Sequence, residues 1–429
     1  MEPILVLIAL VTMIGLGMPI FLSLGVAGLV GLYLARGSMA FFFAPTSLFG
    51  QLNVFELIAL PLFILMGSFL GATPVGSNLF QAAVRWLNWL RGSLAISSVG
   101  ASAMFGAVSG VSLAGVAAVG SIAVPQMLER GYSRSLAAGS VVSAGALAML
   151  IPPSVPLIIY GAVSSVSVAD LFIGGIVPGI VLALALSVFI YIRVQFNPDE
   201  APVSSQHFSW RERWQSLANI WHAVLLIIAV LGSIYTGFAT PSEAAGVGAM
   251  GAFLIAAVVF RSLTWAKTLE ILASTARISG AILLIIGCAK IFGDYLNMVR
   301  VPQMLTEILT ASGLPTWAIL LAVMILLVLL GMIVDAVSLI VVTTPVLLPL
   351  IETLGYDPLW FGIVMVLNLE IAVVTPPVGL NLYALRGVCP QLSVEEIIRS
   401  ALPFVAVQFL VLMLFVFFPS LSLWLPGMM

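Results

Sequence analysis

Two distant stretches of this chain keep the same proline frame. Pro125 is followed by Gly131-Tyr132 and then by the pair Pro152-Pro153, and Pro349 by Gly355-Tyr356 and then by Pro376-Pro377, with 27 residues from the first proline to the pair in both. A frame kept over that length marks a duplicated chain. Proline lacks a backbone N–H and its ring crowds the carbonyl four residues earlier, so a pair in an apolar segment frees backbone groups that lipid cannot satisfy. One such break per half predicts two broken helices meeting around a buried site, as in many secondary transporters.

The surroundings of the breaks are apolar enough for a membrane. Hydrophobic residues make up 62% of the chain and charged residues 7%, against roughly 25% charged in soluble domains. Mean hydropathy is +1.23. A net charge of −2 with 15 Lys and Arg offers no basic surface for nucleic acid, and Cys288 and Cys389 sit in apolar context without the spacing of a disulfide frame or metal cluster. The N-terminus runs directly into apolar sequence without the basic start or cleavage site of a signal peptide, so the first helix is expected to be retained.

A span needs about 20 apolar residues. Candidates fall at 4–34, 54–73, 134–163, 170–195, 217–238, 242–260, 277–297, 358–388 and 400–424, with the proline pairs inside 134–163 and 358–388. The first is expected as one long helix or as two short ones divided at Pro19. Between the spans, 94–128 and 316–351 each turn at their middle, around Ser109-Gly110-Val111-Ser112 and Val334-Asp335-Ala336-Val337-Ser338, and their halves are too short to cross. They are expected as re-entrant hairpins. Segments 76–92 and 263–277 mix basic and aromatic residues, as do helices lying at a membrane interface, and are expected as arms or as amphipathic loops. The chain thus divides into a first repeat over 1–196, a linker over 197–216 expected as a solvated connector containing His207, and a second repeat over 217–429.

Lys and Arg favour cytoplasmic loops. The first hairpin leaves through Glu129-Arg130-Gly131-Tyr132-Ser133-Arg134, whereas the second leaves through Glu352-Thr353-Leu354-Gly355-Tyr356-Asp357, which has no basic residue. The hairpins should therefore open to opposite faces, the first to the cytoplasm. Two inverted-topology repeats follow from that asymmetry.

Residues 97–122 hold 17 Gly, Ala or Ser among 26, which lets helices approach closely. Packing alone accounts for the glycines. It does not account for Ser109 and Ser112 bracketing Gly110 opposite a proline break, where hard oxygen ligands for a small cation are expected. The second half offers Asp335 and Ser338 at its tip, then Asn368, Glu370, Thr375, Pro376, Pro377, Gly379 and Asn381. An acidic residue in an apolar span is costly and is a functional candidate by default; the competing role for Asp335 is an N-cap. Arg386 could meet a substrate carboxylate or snorkel to the interface. No phosphate-binding glycine loop, catalytic triad or zinc-protease motif is present, which excludes ATP hydrolysis and leaves an enzyme the weakest reading.

Leu150-Ile-Pro-Pro-Ser154 with Tyr160-Gly161, Tyr235-Thr-Gly-Phe-Ala-Thr-Pro-Ser-Glu-Ala-Ala245, Gly355-Tyr-Asp-Pro358, Asn368-Leu-Glu-Ile371 and Thr375-Pro-Pro-Val-Gly-Leu-Asn381 resemble the large membrane subunit of tripartite ATP-independent periplasmic (TRAP) transporters, of the ion transporter superfamily. The resemblance implies a multi-pass, sodium-coupled elevator transporter of the bacterial inner membrane. It also implies import of an organic acid handed over by a periplasmic binding protein, and a separate small membrane subunit. Two positions depart from the family: Val111 stands where a second hydroxyl is common, and Ala372 where Gly commonly follows the Asn-Leu-Glu-Ile motif.

The combined expectation is an all-helical polytopic protein in the lipid bilayer with no cofactor except Na⁺ as coupling ion. One sodium site is assigned to Ser109, Gly110, Ser112, Pro152, Pro153 and Ser154, and the other to Asp335, Ser338, Thr375, Pro376, Pro377 and Gly379. Asn368, Asn381 and Arg386 are placed nearer the substrate. The rivals are a stand-alone sodium–dicarboxylate symporter and a channel.

Overall fold

The computed structural model describes residues 2–202 and 206–428. Met1 and residues 203–205 of the expected linker lie outside them. Every regular element among the described residues is helical.

Helix α1 (Glu2–Gly15) stops at Gly17, whose φ is 83°, and α2 (Ile20–Arg36) starts behind Pro19, so the stretch 4–34 is two helices. After α3 (Ala40–Leu52), helix α4 (Ala59–Gly71) runs into α5 (Val75–Leu87), bent 70° from it. Helices α6 (Ser93–Ser109) and α7 (Ser112–Glu129) form the first hairpin, turning at Gly110-Val111. Next come α8 (Arg134–Ala146) and α9 (Val155–Ser164), separated by a 3₁₀ turn and the Pro152-Pro153 segment, and then the 29-residue α10 (Val168–Phe196).

Helix α11 (Trp210–Ala218) precedes α12 (Trp221–Tyr235), 54° from it, followed by α13 (Pro241–Leu254) and the 34-residue α14 (Trp265–Met298). The segment 263–277, expected as a separate arm, largely forms the beginning of α14, because no proline or glycine interrupts it before the apolar run. Short α15 (Val301–Ala311) leads to the second hairpin, α16 (Thr316–Gly331) and α17 (Ala336–Thr353). Helices α18 (Pro358–Ala372) and α19 (Leu380–Val388) flank Pro376-Pro377, and α20 (Val394–Phe417) and α21 (Ser420–Leu423) end the chain. Among the described residues, seven helices are long and apolar enough to cross a membrane, and up to nine if each bent pair is one span. The chain is a polytopic membrane protein.

Burial sorts these helices. Leu136–Ala146 of α8 and Trp360–Ala372 of α18 are buried on every face, whereas α1, α12 and α13 each bury one face and present apolar side chains outward. A helix apolar all round belongs inside. The two helices that run into the proline breaks are therefore the core; the first break is itself buried at Pro152 and Pro153, whereas Pro376 of the second is half-buried and Pro377 exposed. Close approach near the first break is built from glycine: a Cβ on Gly106 of α6 would sit 2.7 Å from the Ala148 Cα, a few residues before Pro152-Pro153.

Most of the described residues of the linker are exposed, but it is tied to the bundle on both sides of residues 203–205. Glu200 makes a twofold ion pair with Arg193 at 2.7 and 2.8 Å, the Glu200 carbonyl accepts from the Ser133 amide at 2.8 Å, and Ala201 is buried. Trp86 of α5 donates from Nε1 to the Arg213 carbonyl at 3.2 Å. These contacts fasten the linker at Glu200, Ala201 and Arg213, while His207 is exposed.

Candidate functional site

The first hairpin turns where only glycine fits. Gly110 has φ 63°, and a Cβ there would lie 2.5 Å from the Pro153 carbonyl oxygen. The Gly110 carbonyl in turn accepts from the Val155 amide at 3.3 Å, so tip and break are joined backbone to backbone. Ser154 caps α9, its hydroxyl accepting from the Leu157 amide at 3.3 Å and donating to the Met149 carbonyl. That hydroxyl is committed. Ser109 differs: it is 3% exposed and its hydroxyl has no hydrogen-bond partner among the described residues. A buried polar group left unpaired costs about 1–3 kcal/mol, so Ser109 is the position where an oxygen ligand is structurally available.

The second tip makes the same kind of junction. The Met332 carbonyl accepts from the Val378 amide, just past Pro376-Pro377, at 3.2 Å. Asp335 is the N-cap of α17, taking the Ser338 amide on Oδ2 at 3.0 Å and the Ser338 hydroxyl on Oδ1 at 2.5 Å. Thr375 donates to the Ile371 carbonyl at 2.5 Å, and Gly379, at φ 55°, opens α19. The N-cap competing role for Asp335 is therefore filled, and the residue also lies in the wall of the cavity described next.

The halves meet through Ser112 and Asn381. Asn381 Nδ2 donates to the Ser112 hydroxyl at 2.7 Å, the hydroxyl lies 2.9 Å from Asn381 Oδ1, and both residues are buried. A cavity of about 170 Å³ lies between the tips, walled by Gly110 and Ser112 from the first, Asp335 and Ala336 from the second, and Ile278 and Ile282 of α14. Its oxygen-bearing edge and otherwise apolar wall suit a small ligand with few polar groups. The α14 residues carry no signal in sequence, being two isoleucines in an apolar run.

Three candidates lie elsewhere. Asn368 donates to the Met324 carbonyl at 2.9 Å and, with Thr375, faces a separate crevice of about 400 Å³ between α16, α18 and α20. Arg386, expected beside the substrate, donates to the Pro390 and Leu392 carbonyls, the latter at 2.6 Å, and so ties down the turn after α19. Thr375 is thereby removed from the tip cavity while Gly379 and the proline pair remain at the break that borders it. Glu370, completely buried on α18, has neither carboxyl oxygen hydrogen-bonded among the described residues.

A sequence model described as the DctM component of the tripartite ATP-independent periplasmic transporter matches residues 7–421, which spans both hairpins and both breaks. The chain belongs to this family. It is 35% identical to the C4-dicarboxylate TRAP transporter large permease protein DctM of Vibrio cholerae, over 99% of this chain and 97% of that protein. It is 34% identical to the isethionate TRAP transporter permease protein DctMQ of Oleidesulfovibrio alaskensis, over 96% of this chain and 64% of that longer protein. Among solved structures, the Alcanivorax borkumensis YdaH transporter superposes with a TM-score of 0.65 at 15% identity, covering 90% of this chain and 89% of that one, a likeness of fold. TRAP large permeases are transport proteins, so the family carries no expectation of catalysis.

Proposed function

We propose that this large permease imports a small organic anion across the bacterial inner membrane by sodium-coupled symport, working with a small membrane subunit and a periplasmic binding protein. The observation that carries the reading is the cavity between two hairpin tips, each bonded to a proline-broken segment, with Ser112 and Asn381 joining the halves. Two inverted repeats would give the site equivalent access from either face, and a transport domain built of the hairpins and broken helices would carry it past a scaffold of the remaining spans as an elevator. The relatives' names, C4-dicarboxylate and isethionate, support an anionic substrate.

Sodium prefers hard oxygen ligands, and the tips include such groups: the Ser109 hydroxyl, unpaired among the described residues, the Pro153 carbonyl beside Gly110, and the Asp335 carboxylate. In the test, this chain with its small subunit is reconstituted in vesicles and given a panel of radiolabelled carboxylates and sulfonates with the cognate binding protein. Uptake should require an inward sodium gradient and the binding protein. Full uptake by this chain alone would favour a stand-alone symporter, and flux that neither saturates nor needs sodium would favour a channel.

A further inference from the structure

Helices α5 and α11 both turn away from the spans they adjoin, by 70° and 54°, and pack on each other across one end of the bundle. Trp86 of α5 joins them, meeting the rings of Trp210 and Trp214 edge-on at 6.3 and 5.6 Å. Beside this junction is a cavity of about 300 Å³ with Arg91, Arg213, Asn88 and His207 in its wall and no acidic residue among those lining it.

Neither Arg91 nor Arg213 forms an ion pair with a carboxylate among the described residues. Arg91 donates to the uncharged Gln195 side chain at 2.8 Å. The Arg213 guanidinium lies over the Trp210 ring at 4.9 Å, and its buried Nε has no hydrogen-bond partner among the described residues. Glu212, next to it in the chain, is engaged in a capping box, with Oε2 accepting from the Ser209 amide and hydroxyl at 2.7 and 2.8 Å. Two arginines in the wall of a cavity with no acidic residue among those lining it suit a phosphate, whose oxygens match the planar guanidinium fork. The surroundings specify the source of that phosphate. Trp89, Trp210 and Trp214 are 73%, 65% and 61% exposed, and indoles presented outward beside surface-lying helices belong at the level of lipid headgroups.

We propose that this cavity binds the headgroup phosphate of an anionic phospholipid, held by Arg91 and Arg213, with the exposed tryptophans against the adjoining acyl chains. A lipid there would fasten the linker to α5 and join the two halves of the chain at the membrane surface. The proposal is independent of what the tip cavity carries.

The test uses the full-length protein in detergent micelles, titrated with phosphatidylglycerol or phosphatidylcholine while bound lipid is counted by native mass spectrometry. Phosphatidylglycerol should bind in preference. Arg91→Gln and Arg213→Gln should each weaken it about tenfold, and the corresponding lysine variants less, because they keep the charge but lose the fork. Arg399→Gln, at an exposed ion pair on α20, should change nothing. Thermal unfolding in phosphatidylcholine alone should be the same for all variants, separating lost binding from lost folding. Binding unchanged in both glutamine variants overturns the proposal. So does displacement of the lipid by millimolar inorganic phosphate, which would make the cavity a site for a free anion.

Discussion

Between Ser112 and Asn381 a single hydroxyl and a single amide satisfy each other across 269 residues of sequence. Removing either leaves the other buried and short of a partner, at a cost of about 1–3 kcal/mol. Ser112→Ala and Asn381→Ala should each lower the unfolding midpoint in detergent, while the double variant should cost clearly less than the two singles together, since residues sharing one interaction are not additive. Strictly additive costs would show that the pair is not a unit. Gly110 offers a second check, because its φ of 63° and the Pro153 carbonyl both oppose a side chain, whereas Gly237, at φ 69°, has open space around it. Gly110→Ala should therefore destabilise by several kcal/mol and Gly237→Ala by only about 1 kcal/mol, read from the same unfolding curves. Sequence marked Ser109, Gly110 and Ser112 as a tip but could not say which hydroxyl was spoken for. That depends on Asn381, which only the folded chain brings near. Arg386 was ambiguous for the same reason: its acceptors are backbone carbonyls, and a carbonyl leaves no trace in residue identity.

The hairpins were legible as elements because their interruption is local, Gly110 in one and Asp335 capping α17 in the other. Boundaries near 94–128 and 316–351 accordingly agree with α6 to α7 and α16 to α17, but α7 and α17, at 18 residues each, are long and apolar enough to cross a membrane, against the expectation that each half is too short. Helices α3 and α15 were not legible, being short, with Pro45 inside one and Glu307 in the other. The opposite facing of the two hairpins rests on loop charge and calls for a direct experiment. Tyr132 is too buried to report on solvent, so the exposed neighbours Arg130 and Thr353 serve better. In a background with Cys288 and Cys389 replaced, Arg130→Cys should react with a membrane-impermeant maleimide only from the cytoplasmic side and Thr353→Cys only from the other. Labelling of both from one side would remove the inverted repeat and, with it, the symmetry argument for alternating access.

For the whole molecule the quantity at stake is the work available per transport cycle. One charge crossing 100 mV is worth about 2.3 kcal/mol and a tenfold sodium gradient about 1.4 kcal/mol. Two sodium ions, one per tip, would supply about 7 kcal/mol to a neutral load, but a divalent carboxylate would cancel their charge and leave only the chemical gradients, about 3 kcal/mol or roughly a hundredfold accumulation. A two-sodium cycle therefore predicts that uptake of a dianion is indifferent to membrane potential, whereas uptake of a monoanion is driven by it. Imposing a valinomycin–potassium potential on vesicles distinguishes the cases, and a dianion whose uptake rises with inside-negative potential would require more than two ions. The ligand side of the same argument points to Ser109, whose hydroxyl has no other partner among the described residues. Ser109→Ala removes one oxygen worth about 1–3 kcal/mol to a bound cation, and should raise the sodium concentration for half-maximal uptake between about 5- and 100-fold. Substrate affinity of the periplasmic binding protein should stay unchanged. Wild-type sodium dependence in that variant would mean that Ser109 is a packing residue and that the first tip holds its ion through backbone carbonyls or holds none.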